Sequence, residues 1–493
     1  GMLHAFAAKG SAAAEAVVEA AATANAKSYL DPGNASFAAA ATAATAAARA
    51  AVAADTVVGQ ELWGFIPATV LPNFYRLADK RYAYSHRPYV DATPVVGDVC
   101  VSDCSATTAV WKTILVGGLG RGGRGYYALD ITDPSSPKAL WEFTDSNLGY
   151  TFGNPQIAKR ADGTWVVMFT SGYNNIPNDD GTGGDGVGRL YVLNAATGAQ
   201  ISGLSPISTG VGGTSAPSGL TKITAQVVNP SSDNTAEAVY GGDLLGNLWR
   251  FDINDTIGAS GYDAQLLATL KDGAGNAQSI TSKPEVGLIE GYKVVFVGTG
   301  RFLDSSDIGD TGTQTLYAIK DPRAPLTNPS VPIFDNPGGS PRVVGNSSAN
   351  FIRQVQSEID CPTGNTNCVS EPVAEKIRTS TNNPVSFATN NGWFVDLIGT
   401  GERANTDPAL GLGLLAFNTN TPSLVACDIG GKGYGYFLDY LTGGPIYGPG
   451  NGTSTANNGM AGGLLANELV SSPALAVTKG GKLIILSGLS GGG

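Results

Sequence analysis

The sequence predicts an all-β chain folded as a modified β-propeller, and three observations lead there. A strand-and-turn unit recurs, reading GRGYYALDITDP from Gly123, GRLYVLNAATG from Gly188, GNLWRFDIND from Gly246, QTLYAIKDP from Gln314 and YGYFLDYLTGG from Tyr434. Each copy is a short aromatic and aliphatic run closed by Asp or Asn with Thr, Pro or Gly, as a strand entering a tight turn requires. The starts at Gly125, Gly188, Gly246 and Gln314 are spaced by roughly 60 residues, which suits a four-stranded blade with generous loops better than a helical solenoid repeat. The third observation is composition: 67 Gly and 27 Pro punctuate the 493 residues, while only 14% are charged.

Taken in order, the chain opens on GMLHAF, which reads as the inside of a strand and therefore as part of a longer secreted protein with its leader upstream. Residues 10–58 form an insert whose Ala-rich stretch, Ser36 to Asp55, is built from the best helix former and predicts one or two surface helices. ELWGFIP follows at Glu61. GMLHAF with ELWGF has the same pattern as YYALDITDP with ALWEFTD at Ala139, so each blade pairs a repeat strand with a Leu-Trp-x-Phe edge strand. Further blades are placed from about Pro88, Gly149, Ser218, Ser279 and Asn346, with the last near Gly430, which makes about seven in a single domain spanning 1–493. Trp63, Trp141 and Trp249 fall at equivalent or near-equivalent positions and read as packing between blades. Residues 323–391, rich in Pro, Asn, Ser and Thr, form the long variable loop region where a partner would be met. The tail from Ser471 holds two more strands, suited to completing the blade that GMLHAF begins.

Cys100 and Cys104 bound a short loop, as do Cys361 and Cys368, and both spacings suit local disulfides in an oxidising compartment. Cys427 is left free, buried or paired elsewhere. With His4 and His86 the only histidines, a zinc site has too few ligands. His4 reads as a satisfied core residue and His86 as a loop cap. The net charge of −11 opposes nonspecific contact with nucleic acid or anionic lipid, and no run of 18 apolar residues offers a membrane span. GRGGRG at Gly120 to Gly125 is followed by a strand instead of a helix, so it is a turn and not a phosphate cradle.

These segments together carry a family resemblance. GMLHAF, ELWGFIP, YVDATPVVGDV, ILVGGLGRGGRGYYALDITDP, GRLYVLNAATG, VYGGDLLGNLWRFDI, VVFVGTGRFLDSSDIGD and GWFVDL with GER at Gly401 stand in the order seen in the C-terminal propeller of the PilC/PilY family of type IV pilus tip-associated adhesins. The resemblance implies an extracytoplasmic, non-enzymatic domain at the pilus tip, outer membrane or cell surface. It also implies support of pilus extension, twitching motility and adhesion, with the pilus tip or minor pilins and a host or abiotic surface as partners.

The family implies a calcium loop immediately before the Gly-Asp-Leu-x-Gly-Asn strand. The matching segment here, NPSSDNTAE, offers Asn229, Ser231, Asp233, Thr235 and Glu237 at alternate positions. Only two of the five are carboxylates, and Pro230 with no inner Gly opposes the sharp turn of a strong loop, so calcium control is expected to be weak or lost. A second acidic loop, with Asp179, Asp180 and Asp185 on a Gly-rich backbone, is the alternative cation site. The competing enzyme reading is a quinoprotein dehydrogenase, whose repeats are similar. Its vicinal cysteines are absent here, and no Trp, Glu, Asn and Asp set stands out to hold a quinone.

Overall fold

The computed structural model describes residues 2–6, 16–17, 19–21, 23–24, 35–54, 60–178, 183–229, 232–257, 262–323, 330–343, 345–346, 349–360, 376–423, 430–446, 460–477 and 483–490. The chain divides into two compact units, 1–91 with 131–138 and 92–130 with 139–493.

In the first unit Leu3–Phe6 pairs antiparallel with Glu61–Phe65, placing Ala5 opposite Trp63. Between them in sequence the helix Ala35–Ala54 forms as its alanine content requires. It carries no acidic residue in its first turn and no basic one in its last, so propensity holds it without help from the helix dipole. After the second strand the chain coils into 3-10 turns, Ala68–Ala78 and Tyr82–Tyr84, with Pro72 inside the first. A proline there lacks the N–H that a continuous α-helix would use.

Among the described residues the second unit shows five antiparallel meanders. Blade one runs Val95–Ser102, Val110–Gly118, Tyr126–Asp130 and Lys138–Phe143; blade two runs Gln156–Lys159, Trp165–Thr170, Val187–Asn194 and Ile207–Gly212. Blade three is Ile223–Asn229, Asp233–Gly242, Asn247–Phe251 and Ala264–Thr269; blade four is Glu285–Ile289, Tyr292–Gly298, Thr315–Asp321 and Gly392–Asp396. Blade five is Ala409–Gly411, Leu414–Pro422, Gly431–Asp439 and Met460–Ala466, and a separate hairpin joins Ala474–Val477 to Leu483–Leu486. Every recurring motif of the sequence supplies the third strand of its meander.

The cores lie between successive sheets. On blade two, Val166, Met168, Leu190 and Val192 pack with Val239, Trp249 and Phe251 of blade three, while Val167, Phe169, Tyr191 and Leu193 pack with Ile114, Val116 and Tyr126 of blade one. Blade four divides in the same way, giving Val295, Val297, Tyr317 and Ile319 to blade three and Val294, Phe296, Leu316 and Ala318 to blade five. Alternate side chains of a strand leave opposite faces, so a sheet buried on both faces needs apolar residues in succession. That is why WVVMFT and KVVFVG read as continuous runs.

Residues 323–391 are not a loop alone. Phe334–Asp335 adds in parallel to the edge of blade three, while Gly345–Asn346 and Phe351–Gln354 extend blade four. Gln356–Asp360 with Lys376–Ser380 then extends blade five through Met460–Ala466. The expected blade start at Asn346 is therefore an edge strand of blade four, and the one near Gly430 falls at the third strand of blade five. Short strands added to an existing edge take their register from the sheet they join, so their own sequence signals little.

Candidate functional site

The closing Asp or Asn of the repeats has a common task. Asn194 accepts from the N–H of Ala196 (3.0 Å), Asp252 from Asn254 (2.9 Å), Asp321 from Arg323 (2.7 Å) and Asp439 from Leu441 (2.7 Å). Each short side chain thus folds the backbone beyond its own strand into a turn. In the first copy Asp133 does this for Ser135. The copy around GGDLLGNLW adds a buried hub: the Asp243 carboxylate accepts from the backbone of Leu245 and Asn247 and from the side chains of Asn247, Trp249 and Ser218. Burial pushes its pKa up, and those donors oppose the shift.

Among the described residues of the second unit, two ion pairs have both partners buried. Arg250 of blade three reaches Asp321 of blade four, which also accepts from the Tyr240 hydroxyl at 2.6 Å. Arg378, on the strand Lys376–Ser380 that extends blade five, lies in the strand row of Gly462 and Tyr436. With no side chain at Gly462, the guanidinium crosses that strand to meet both oxygens of Glu402 (2.8 and 2.6 Å) and the Tyr436 hydroxyl. Thr419 donates to the same carboxylate at 2.6 Å. The residues flanking Glu402 are Gly, Thr, Arg, Ala and Asn and carry no local signal of this role, which depends on strand pairing distant in the chain.

The expected calcium segment is a hairpin. Asn229 and Asp233 are cross-strand partners, and Thr235 and Glu237 continue along the second strand, with Ser231 outside the described residues. At about 3.3 Å per residue, Asp233 and Glu237 stand ~13 Å apart, whereas calcium draws its oxygens to about 2.4 Å. Each carboxylate already faces a cation. Lys159 lies 2.8 Å from Asp233, and with the Thr235 hydroxyl it holds that carboxyl below the usual range. Glu237 meets Lys293 at 3.2 Å and Arg323 at 3.4 Å. In this conformation the residues do not fit a calcium loop.

Of the alternative acidic loop, Asp179 and Asp180 lie outside the described residues. Asp185 is held by both terminal nitrogens of Arg189, each at 2.6 Å, which with the Val187 N–H lowers its pKa to about 2. Asp304 caps the short turn Ser305–Gly309 in a reciprocal arrangement with Asp307. Among the described residues no group of three or more His, Cys, Asp or Glu side chains gathers as a metal site. Cys100 and Cys104 form a disulfide with 5.7 Å between their Cα atoms; Cys361, Cys368 and Cys427 lie outside the described residues. His4 is not a core residue: it is partly exposed and bonds Glu61 at 2.7 Å, because a two-stranded sheet leaves its side chain open to water. His86 packs edge-on against Tyr82.

Trp141 and Trp249 both pack between blades, but they do not hold equivalent positions. Trp141 of blade one donates its indole N–H to Ala195 in the turn after the third strand of blade two, and Trp393 of blade four donates to Tyr440 in the same turn of blade five. Trp63 donates to Pro134 in the corresponding turn, within the first unit. The recurring latch is thus Trp63, Trp141 and Trp393. Trp249 sits on a third strand and serves its own turn through Asp243, since a third-strand side chain faces the hub and not the next turn. In two latches the indole lies on a left-handed glycine, Gly198 or Gly443, where an added Cβ would come within 2.5 Å of the ring.

Antiparallel meanders with a core between each successive pair, latched by tryptophan onto turns folded by Asp or Asn, define a β-propeller. The family model described as the PilY1 beta-propeller domain matches residues 56–332, more than half of the chain, and the chain belongs to that family. It is 30% identical over 424 residues to the type IV pilus biogenesis factor PilY1 of Pseudomonas aeruginosa PAO1, covering 78% of this chain and 33% of that protein. A PilY1 homolog of Xylella fastidiosa is 30% identical over 429 residues, covering 79% of this chain and 25% of that protein. The chain therefore spans about a third or less of the length of these relatives. The crystal structure of the P. aeruginosa PilY1 C-terminal domain aligns with a TM-score of 0.63 at 25% identity, covering 87% of each chain.

Proposed function

We propose that this chain is the propeller of an extracytoplasmic type IV pilus biogenesis factor, supporting pilus extension and, through it, twitching motility and surface adhesion. The observation that carries the reading is the alignment with the PilY1 C-terminal domain over 87% of both chains, together with the family match over residues 56–332. The domain acts by binding, with minor pilins or the pilus tip on one side and a host or abiotic surface on the other. Its non-enzymatic character is supported by the buried carboxylates Asp243, Asp321 and Glu402, which are all engaged by structural donors. No helix of the described residues is long and apolar enough to cross a membrane.

The test is genetic. In the organism that encodes it, removing this region from the full-length protein is expected to reduce surface pili and twitching, and disabling the retraction motor is expected to restore the pili. Undiminished piliation and twitching without the region would overturn the reading.

A further inference from the structure

We propose that a cleft shared by blades one, two and three binds a neutral saccharide. The cleft has a volume of about 860 Å³, within the span of small-molecule sites. Three short elements bound it: the disulfide hairpin at Cys100 and Cys104, the 162–164 turn of blade two and residues 232–234, where the second strand of blade three begins.

Its apolar wall is a pair of indoles. Trp111 is 52% exposed although it carries one of the largest apolar surfaces a side chain can have. It meets the buried Trp165 edge to face, with ring centroids 5.6 Å apart and planes at 76°. That contact fixes the orientation of the exposed ring before any ligand arrives. A flat, rigid, half-exposed aromatic face beside polar groups suits a molecule with one apolar face and a rim of hydroxyls, which is the build of a pyranose.

The polar wall supplies the acceptors. Asp98, Asp162 and Asp233 line the cleft with Lys159 as the cation among them. Carboxylates accept from hydroxyl pairs, and with Arg160 on Asp162 and Lys159 on Asp233 the three carboxylates still outnumber their cations, a negative balance that repels phosphate, sulfate and sialic acid. The carboxylates also oppose a purely apolar occupant, whose arrival would desolvate them without compensation.

The three carboxylates are already positioned. Asp98 accepts from the Thr113 hydroxyl at 2.7 Å, and Asp233 is set by Lys159 at 2.8 Å. Arg160 donates to Asp162 at 2.6 Å while its Nε is anchored on the carbonyl of Ile253 at 2.9 Å. The Cys100–Cys104 disulfide fixes the rim that blade one supplies. A ligand therefore pays little to order the site.

The inference stands apart from the pilus reading, because it rests on the cleft alone and its test uses purified protein. The 493-residue chain would be applied to an array of neutral, amino, sialylated and sulfated oligosaccharides, with affinities of the bound members measured by calorimetry. The expected result is binding confined to neutral sugars and weakened at least about tenfold by Trp111→Ala, the loss of one stacking contact. Asp162→Asn is the second variant, expected to weaken the same sugars, and unchanged melting of both variants shows that they fold. Absence of any binding, preference for acidic glycans, or binding that survives Trp111→Ala would overturn the proposal. Normal piliation by cells carrying Trp111→Ala, with the sugar lost, would separate this site from pilus assembly.

Discussion

Arg378 shows what a single side chain does in this protein. Its guanidinium and the Glu402 carboxylate are both buried, so truncating one leaves the other as an uncompensated charge. Arg378→Ala is expected to cost about 3–5 kcal/mol in urea unfolding, and Arg378→Met combined with Glu402→Leu is expected to recover much of it. A loss below about 1 kcal/mol for the single variant would show that water reaches the pair. Asp185 gives a pH signature. Arg189 lowers its folded pKa to about 2, below the unfolded value near 3.9, so its stabilising contribution is present above the unfolded value and disappears as pH falls through about 2. Asp185→Asn should therefore lower the melting temperature at neutral pH, and the difference should shrink as pH falls toward 2. A carboxyl titration midpoint near 4 for Asp185, followed by NMR, would contradict this.

At the level of elements, the indole latches join one meander to the next. Trp141→Phe keeps most of the apolar area but leaves the Ala195 carbonyl without its donor, for an expected cost of about 1–2 kcal/mol. Gly198→Ala should cost about 1–3 kcal/mol, because its φ is +69° and the new methyl would meet the Trp141 ring. The two share one contact, so their effects should fall short of additivity in a double-mutant cycle. The hairpin from Ile223–Asn229 to Asp233–Gly242 carries a different expectation. With Asp233 and Glu237 facing lysine and arginine, millimolar calcium should leave the melting temperature where a chelator leaves it. A calcium-dependent rise abolished by Asp233→Ala would restore the loop as a cation site.

For the whole molecule, the segment between the third and fourth strands of blade four matters beyond its blade. It lays short strands on blades three, four and five, and Phe351 within it is fully buried against Phe334 with rings 5.2 Å apart. Phe351→Ala should cost about 3–5 kcal/mol, the magnitude of a core truncation, where a surface loop would show almost none. Deleting Ala35–Ala54 with a flexible bridge should leave the strand-dominated circular dichroism and the cooperative unfolding of the second unit intact, since that helix belongs to the first unit. Loss of cooperative unfolding on that deletion would show that the helix is part of the core.

The sequence alone determined the fold class, the third strand of every meander and the turn that ends it. Burial on both faces demands unbroken apolar runs, and a tight turn demands Asp or Asn with Gly, so these features are written locally. The tertiary structure decided what depends on partners distant in the chain. Trp393, not Trp249, matches Trp141 as a latch between blades because the indole must meet the turn of the following blade. Arg378 finds Glu402 only because pairing places Gly462 between its strand and Tyr436. Asp233 and Glu237, spaced like ligands of a cation loop, meet Lys159 and Lys293 because the backbone around them is extended and neighbouring strands supply the charges. Residue spacing specifies a ligand set only after the backbone conformation is known, and here sheet pairing fixed that conformation.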